Sequence, residues 1–233
     1  MKIALLGYGR MGQAIEKIAL ERGHEIVLKV DMNTEKYDVS SADVAIDFSI
    51  PSAAVGNITN CFNAKVPVVS GTTGWLDNYD DICDMCTKKE GSFIYASNFS
   101  LGVNLFFELN KKVAKLMNPM LGNYAVTTEE IHHTKKLDAP SGTAITLAEG
   151  IIENTDFENW KLYEGDQKNI AITAKRIGDV PGTHSITYHS EVDEIEIKHT
   201  AYNRQGFALG AVVAAEWLAN KRGIYKMKDV LGL

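Results

Sequence analysis

Cysteine is scarce in this chain of 233 residues: Cys61, Cys83 and Cys86 are all there is. Three thiols give no paired disulfide framework. Cys83 and Cys86 stand at a helical spacing that fills one face, and no partner pair elsewhere completes a zinc site, so no metal is expected. Long apolar runs are missing too. None approaches a membrane span, and the opening apolar stretch is broken by Gly7 too early for a secretory signal, so the expected location is cytoplasmic. Positive charge is in deficit, with 24 Lys and Arg against 30 Asp and Glu for a formal balance of −6. Without an extended basic stripe, nucleic acid is not an expected partner. There is no internal repeat or low-complexity stretch. What remains is a chain with 45% hydrophobic residues, ample for a packed core in one large or two small domains.

The N-terminus carries the first positive signal. Lys2 to Leu6 is a short buried-strand run feeding Gly7-Tyr8-Gly9-Arg10-Met11-Gly12, after which Ala14, Ile15, Ile18, Ala19 and Leu20 keep helical spacing. This is G-x-G-x-x-G in the strand-turn-helix setting it requires: Gly7 for the tight turn, Gly9 for backbone approach to a pyrophosphate, Gly12 for close packing of helix on strand. A second strand, Glu25 to Val30, ends at Asp31, roughly twenty residues after the fingerprint, where a carboxylate can accept hydrogen bonds from both ribose hydroxyls of an adenosine. Met32 and Asn33 follow, with no arginine to neutralise a ribose phosphate. NADH is therefore favoured as cofactor, with NADPH possible.

Strand and helix patterns then alternate: strand Val44 to Phe48, a helix to about Phe62, strand Val66 to Ser70, a helix from about Leu76 to Lys89, strand Phe93 to Ala96. That is the rhythm of a parallel, doubly wound, Rossmann-like sheet, whose ligands gather at the carboxyl ends of the strands. Gly71-Thr72-Thr73-Gly74 and Ser97-Asn98-Phe99-Ser100 occupy two of those ends. Their backbone and uncharged side chains suit a carboxamide or ribose.

From Leu101 the texture changes. A long apolar helix, Leu101 to Met117, is followed by strand-like runs at Ile170 to Arg176, His184 to His189 and Glu194 to His199, which alternate polar with apolar residues as a sheet with one wet face would. Gly206 to Leu218 is again helical and apolar and is expected to rejoin the first domain. The fold class is thus α/β, a doubly wound domain (1–100 and 207–233) joined to an α+β domain (101–206) with a mainly antiparallel open sheet. A second subunit would cover that open face, which makes a homo-oligomer the expected state.

The densest chemistry lies between Glu130 and Ala144. Tyr124 to Ile131 reads as a strand, which places His132 and His133 near its end on opposite faces. Histidine gives and takes protons near neutral pH, and Lys135 or Lys136 adds a fixed charge or a second donor. Pro140, Ser141, Gly142 and Thr143 then open a helical pattern. Ser141 is an N-cap, and the first N–H groups of the helix, at Gly142 and Thr143, suit a carboxylate.

Taken together, these residues resemble the dihydrodipicolinate reductase family, nearly end to end. The most specific piece is His132-His133-Thr134-Lys135-Lys136-Leu137-Asp138-Ala139-Pro140-Ser141-Gly142-Thr143-Ala144. Gly9 to Gly12, Gly71 to Gly74, Ser97 to Asn104, Arg176 to Gly182 with His184, and Lys226 to Leu231 support it. The resemblance implies hydride transfer from a reduced nicotinamide to a small dianionic cyclic dicarboxylate, 4-hydroxy-tetrahydrodipicolinate, with loss of water, in diaminopimelate and lysine biosynthesis, and a tetrameric assembly. It implies His132 as proton carrier and Lys136 as a further donor, with His133, Gly142 and Thr143 on substrate carboxylates. Gly7 to Gly12, Asp31, Gly71 to Thr73 and Ala96 to Phe99 would hold the cofactor.

Two departures from the family pattern concern the cofactor: a glycine turn one residue shorter, and a compressed stretch from Asp31 to Asp43. Arg176 and Arg204 are further possible anion ligands outside the selected set. Two other readings are a nicotinamide-dependent dehydrogenase of another small amino or imino dicarboxylate, and an NADH sensor without turnover, which would have no use for the His132 and Lys136 proton carriers.

Overall fold

The computed structural model describes residues 1–203 and 205–233; Arg204 lies outside them. The chain divides into two compact units, Met1–Leu101 with Gln205–Leu233, and Gly102–Arg204.

The first unit is a six-stranded sheet built from β1 (Lys2–Leu6), β2 (Glu25–Val30), β3 (Val44–Asp47), β4 (Val68–Ser70), β5 (Ser92–Tyr95) and β11 (Gly223–Tyr225), in the order β11-β5-β4-β3-β1-β2. Every pairing is parallel. Its helices are α1 (Arg10–Glu21), α2 (Pro51–Asn63), α3 (Tyr79–Lys88), α6 (Gln205–Leu218) and α7 (Met227–Leu231). Strand alternation divides the apolar residues between two layers. Ile3, Leu5, Val44, Ile46 and Ile94 face α1 and α6, whereas Ala4, Leu6, Ala45, Val68 and Phe93 face α2 and α3. Burial on both faces is why these strands read as continuous apolar runs. Cys61 and Cys86 are buried packing residues of the second layer. The strand order reverses between β1 and β3, the switch point at which such sheets open a ligand crevice. The second parallel neighbour of β5, β11, escaped the sequence reading because three residues carry too little periodicity to register.

The second unit contains α4 (Leu101–Met117), β6 (Ala125–His132), α5 (Gly142–Ile152), β7 (Asn159–Leu162), β8 (Asn169–Arg176), β9 (Gly182–His189) and β10 (Glu194–Ala201). The sheet order is β10-β9-β6-β8-β7. It is a mixed sheet. β10, β9 and β6 pair antiparallel, carrying the greater part of the ladder, whereas β6-β8 and β8-β7 are parallel. Neither the parallel half nor β7 is legible in the sequence, because pairing direction leaves no trace in side-chain alternation. Phe106 and Met117 of α4 and Leu147 and Ile151 of α5 pack on Val126, Ile170, Ile186 and Tyr188 of the sheet. The opposite face presents Thr127, Glu129, Lys175, Thr187, Glu196 and Lys198, with Lys175 ion-paired to Glu129. No helix among the described residues is long and apolar enough to cross a membrane.

Candidate active site

At the switch point the glycines of the fingerprint separate by cause. Gly7 has φ 98°, and a Cβ there would lie 2.1 Å from the carbonyl oxygen of Phe48; a Cβ on Gly12 would meet the carbonyl of Gly7 at 2.3 Å. Both are required by the fold. Gly9 is not: its φ is −85°, and a Cβ would meet nothing within 4 Å. It stands as the N-cap of α1, exposed, at the positive end of the helix dipole, so the open space above it fits a phosphate-bearing cofactor.

The neighbouring side chains differ in how far the fold already engages them. Tyr8 donates its hydroxyl to Glu16 and accepts from Lys29 at 3.3 Å. Arg10 is exposed and Met11 packs against the core. Thr72 is 5% exposed; its hydroxyl donates to Asp47 at 2.8 Å and accepts the Ser49 N–H at 2.8 Å. Phe99 is buried against Phe48, with ring centroids 5.7 Å apart. Thr72 and Phe99 therefore have buried side chains and Tyr8 has its hydroxyl engaged by Glu16 and Lys29, while Gly71, Thr73, Ala96, Ser97 and Asn98 remain at least partly exposed. Asn98 caps the chain ahead by accepting the Ser100 N–H at 2.9 Å.

Asp31 ends β2 and is exposed. Its Oδ1 accepts the Asn33 N–H at 2.9 Å and the Thr34 hydroxyl at 3.1 Å. The carboxylate is thus held at the strand end by its own turn, which orients it without neutralising it.

In the second unit, register creates the site. β6 points Val126, Thr128, Glu130 and His132 inward. Glu130 lies opposite His184 on β9, and His132 opposite Arg176 on β8. Four ionisable side chains from three strands therefore converge on one face. Glu130 is wholly buried. It accepts the Ser141 N–H through both oxygens at 3.1 and 3.0 Å, and Arg176 Nη2 at 3.1 Å. Its Oε2 also lies 3.3 Å from His132 Nδ1 and 3.7 Å from His184 Nε2. Burial opposes its ionisation, but the nearby His132 and His184 rings and the Ser141 N–H outweigh burial and hold it far below the usual carboxylate range. Burial pushes the His184 pKa down despite Glu130, so that ring is neutral near pH 7. The rings of His132 and His184 meet edge to face at 5.0 Å.

Ligand atoms of Glu130, His132 and His184 fall within 4.8 Å of one another, a spacing that a metal ion can bridge. The carboxylate here already has the Arg176 cation and the Ser141 N–H shared between its two oxygens, so its charge is balanced by protein groups. Breaking such a buried pair from one side costs about 3–5 kcal/mol.

Ser141 caps α5 by accepting the Ala144 N–H at 3.2 Å, and its Oγ is 3.2 Å from His184 Nε2. The helix start at Gly142 and Thr143 is thereby tied to the histidine cluster. Lys136 pairs with Asp138 at 2.8 Å, and its carbonyl accepts Arg176 Nε at 3.3 Å; Lys135 is exposed. His133 is half-buried, and its carbonyl accepts the Lys136 N–H at 3.1 Å to close a tight turn. Glu130 and His184 as partners of His132 were missed by sequence reasoning, and Arg176 was set aside. The available signal was parity: Glu130 and His132 are two apart on one strand and share a face.

Comparison with known proteins decides the family. Residues 1–99 match the model for the dihydrodipicolinate reductase N-terminus, and residues 102–231 that for its C-terminus. The chain belongs to the dihydrodipicolinate reductase family. It is 60% identical to the 4-hydroxy-tetrahydrodipicolinate reductase of Christiangramia forsetii, over 99% of this chain and 98% of that one. With the enzyme of the same name from Neisseria meningitidis serogroup B the identity is 33%, over 100% of this chain and 98% of the other. The fold matches a dipicolinate-bound dihydrodipicolinate reductase from Paenisporosarcina sp. TG-14 with a TM-score of 0.77, at 23% identity and 97% coverage of both chains. The family is one of nicotinamide-dependent oxidoreductases, and the open cradle at Gly9 fits such a cofactor.

Proposed function

We propose that this chain reduces 4-hydroxy-tetrahydrodipicolinate to tetrahydrodipicolinate, with loss of water, in diaminopimelate and lysine biosynthesis. In balance, substrate, reduced nicotinamide and one proton give product, oxidised nicotinamide and water. Bound nicotinamide supplies the hydride; the chain's residues bind the ring and move the proton. His132 carries that proton, with Lys136 as a further donor. His133 and the N–H groups of Gly142 and Thr143 receive the substrate's carboxylates, as a helix N-terminus does for anions. The observation that carries this reading is the convergence of His132, His184 and Arg176 on buried Glu130 beside the start of α5, a proton-handling cluster that a binding-only sensor does not need.

On the cofactor side, Gly7 to Gly12, Asp31, Gly71 to Thr73 and Ala96 to Phe99 form the binding set. NADH is the preferred donor, because the Asp31 carboxylate accepts from ribose hydroxyls and repels a 2′-phosphate, while the nearby Lys29 ammonium is ion-paired to Glu16. NADPH remains a weaker substitute. The open polar face of the mixed sheet supports a homo-oligomer, a tetramer by family resemblance, working in the cytoplasm.

The decisive assay supplies 4-hydroxy-tetrahydrodipicolinate, made by condensing pyruvate with aspartate semialdehyde, and follows NADH and NADPH absorbance at matched concentrations. Consumption with NADH faster than with NADPH is the expected result, and no consumption with either rules the reading out. His132→Gln is expected to lower turnover roughly a hundredfold or more while leaving NADH affinity intact.

A further inference from the structure

We propose that Glu130 is a positioning residue for the reaction: its carboxylate holds the His132 imidazole through Nδ1, so that the transferred proton travels on Nε2. This rests on His132 as the proton carrier. The two ring nitrogens occupy different surroundings. Nδ1 is sealed from solvent, has no formed hydrogen bond, and lies 3.3 Å from Glu130 Oε2, the nearest carboxylate oxygen. Nε2 faces Gly182, where a Cβ would stand 3.2 Å away; the missing side chain keeps that edge of the ring uncrowded. An ionised carboxylate only accepts hydrogen bonds, so the nitrogen facing it must carry the hydrogen. Contacts of this kind are commonly long before substrate binds and tighten when the imidazolium forms.

The rest of the cluster divides the work. Arg176 from β8 takes Oε1 at 3.1 Å, and the Ser141 N–H at the cap of α5 spans both oxygens. That leaves Oε2 for an imidazole. His184 from β9 is farther from it, at 3.7 Å, and its Nε2 lies closer to Ser141 Oγ, at 3.2 Å. Arg176 is itself anchored by the carbonyls of Lys136 and Asp138, whose side chains pair with each other. The guanidinium thus ties Glu130 to the loop that carries Lys136.

The test is nitrogen-15 NMR of the histidine side chains in the ligand-free protein, with His132 assigned by the signals lost in His132→Asn. The wild type is expected to hold neutral His132 as the Nδ1–H tautomer. In Glu130→Gln that preference disappears and kcat falls at least tenfold, within the roughly 10²–10⁴ that a general acid supplies, with KM nearly unchanged; Glu130→Asp restores part of both. An Nε2–H tautomer in the wild type overturns the proposal, as does a Glu130→Gln protein with unaltered tautomer and kcat. Should Glu130→Gln fail to fold, the wild-type spectrum still decides. The spectrum needs no substrate, so failure of the proposed activity is seen separately in the turnover assay.

Discussion

Thr72 donates its hydroxyl to Asp47 at 2.8 Å and accepts the Ser49 N–H at the same distance, so one buried oxygen joins the ends of β3 and β4. Asp47 has no cation beside it among its contacts. It is satisfied by Asn57, Ser49, Ser70 and Thr72, with burial raising its pKa against their combined effect. Thr72→Val strips a partner from buried Asp47 and from the half-buried Ser49 N–H and is expected to destabilise the protein by about 1–3 kcal/mol. Urea midpoints check this, with Thr72→Ser recovering most of the loss; a Val variant as stable as wild type would show that water replaces the hydroxyl.

The fingerprint glycines make a paired prediction. Gly9→Ala meets no neighbour, so stability is expected to stay within about 0.5 kcal/mol of wild type, while NADH affinity drops. Gly12→Ala drives a Cβ into the Gly7 carbonyl and is expected to cost about 1–3 kcal/mol as an overpacked contact. Calorimetry for binding and thermal melts for folding separate the two. Intact NADH binding in Gly9→Ala would remove the pyrophosphate from that site.

Asp31→Ala is expected to weaken NADH binding and to narrow the difference between NADH and NADPH, since the carboxylate both accepts from the ribose and repels a phosphate. Fluorescence titration with each nucleotide reads both effects. Unchanged affinity for NADH would mean that the ribose is held elsewhere.

His184 gives a pH signature. Its folded pKa is depressed by burial, so the unfolded chain binds more protons in mild acid. The stability it contributes is complete above the unfolded value of about 6.5 and is lost as pH falls through the folded one. Glu130 adds a second fall lower down, since its depressed pKa contributes above the unfolded carboxyl range of about 4 and is lost in stronger acid. Urea midpoints measured from pH 7.5 to 5 are expected to decline in the wild type and to flatten in His184→Gln. Equal slopes in the two proteins would assign the decline to other groups.

Sequence alone determined the local grammar. The strand, glycine turn and helix at Lys2 to Glu21, the apolar helix Leu101–Met117 and the Ser141 cap were legible because each follows from neighbours along the chain, through periodicity, backbone freedom or a nearby hydrogen bond. The His132 segment was legible as chemistry for the same reason. Tertiary structure decided what those residues meet. Glu130, Arg176 and His184 come together only because β6 pairs with β8 on one side and β9 on the other in a fixed register, and pairing is set by packing between distant segments that alternation cannot report. The same holds for Thr72, whose hydroxyl reads as ligand-facing in sequence and is turned by the fold toward a buried carboxylate that needed a donor.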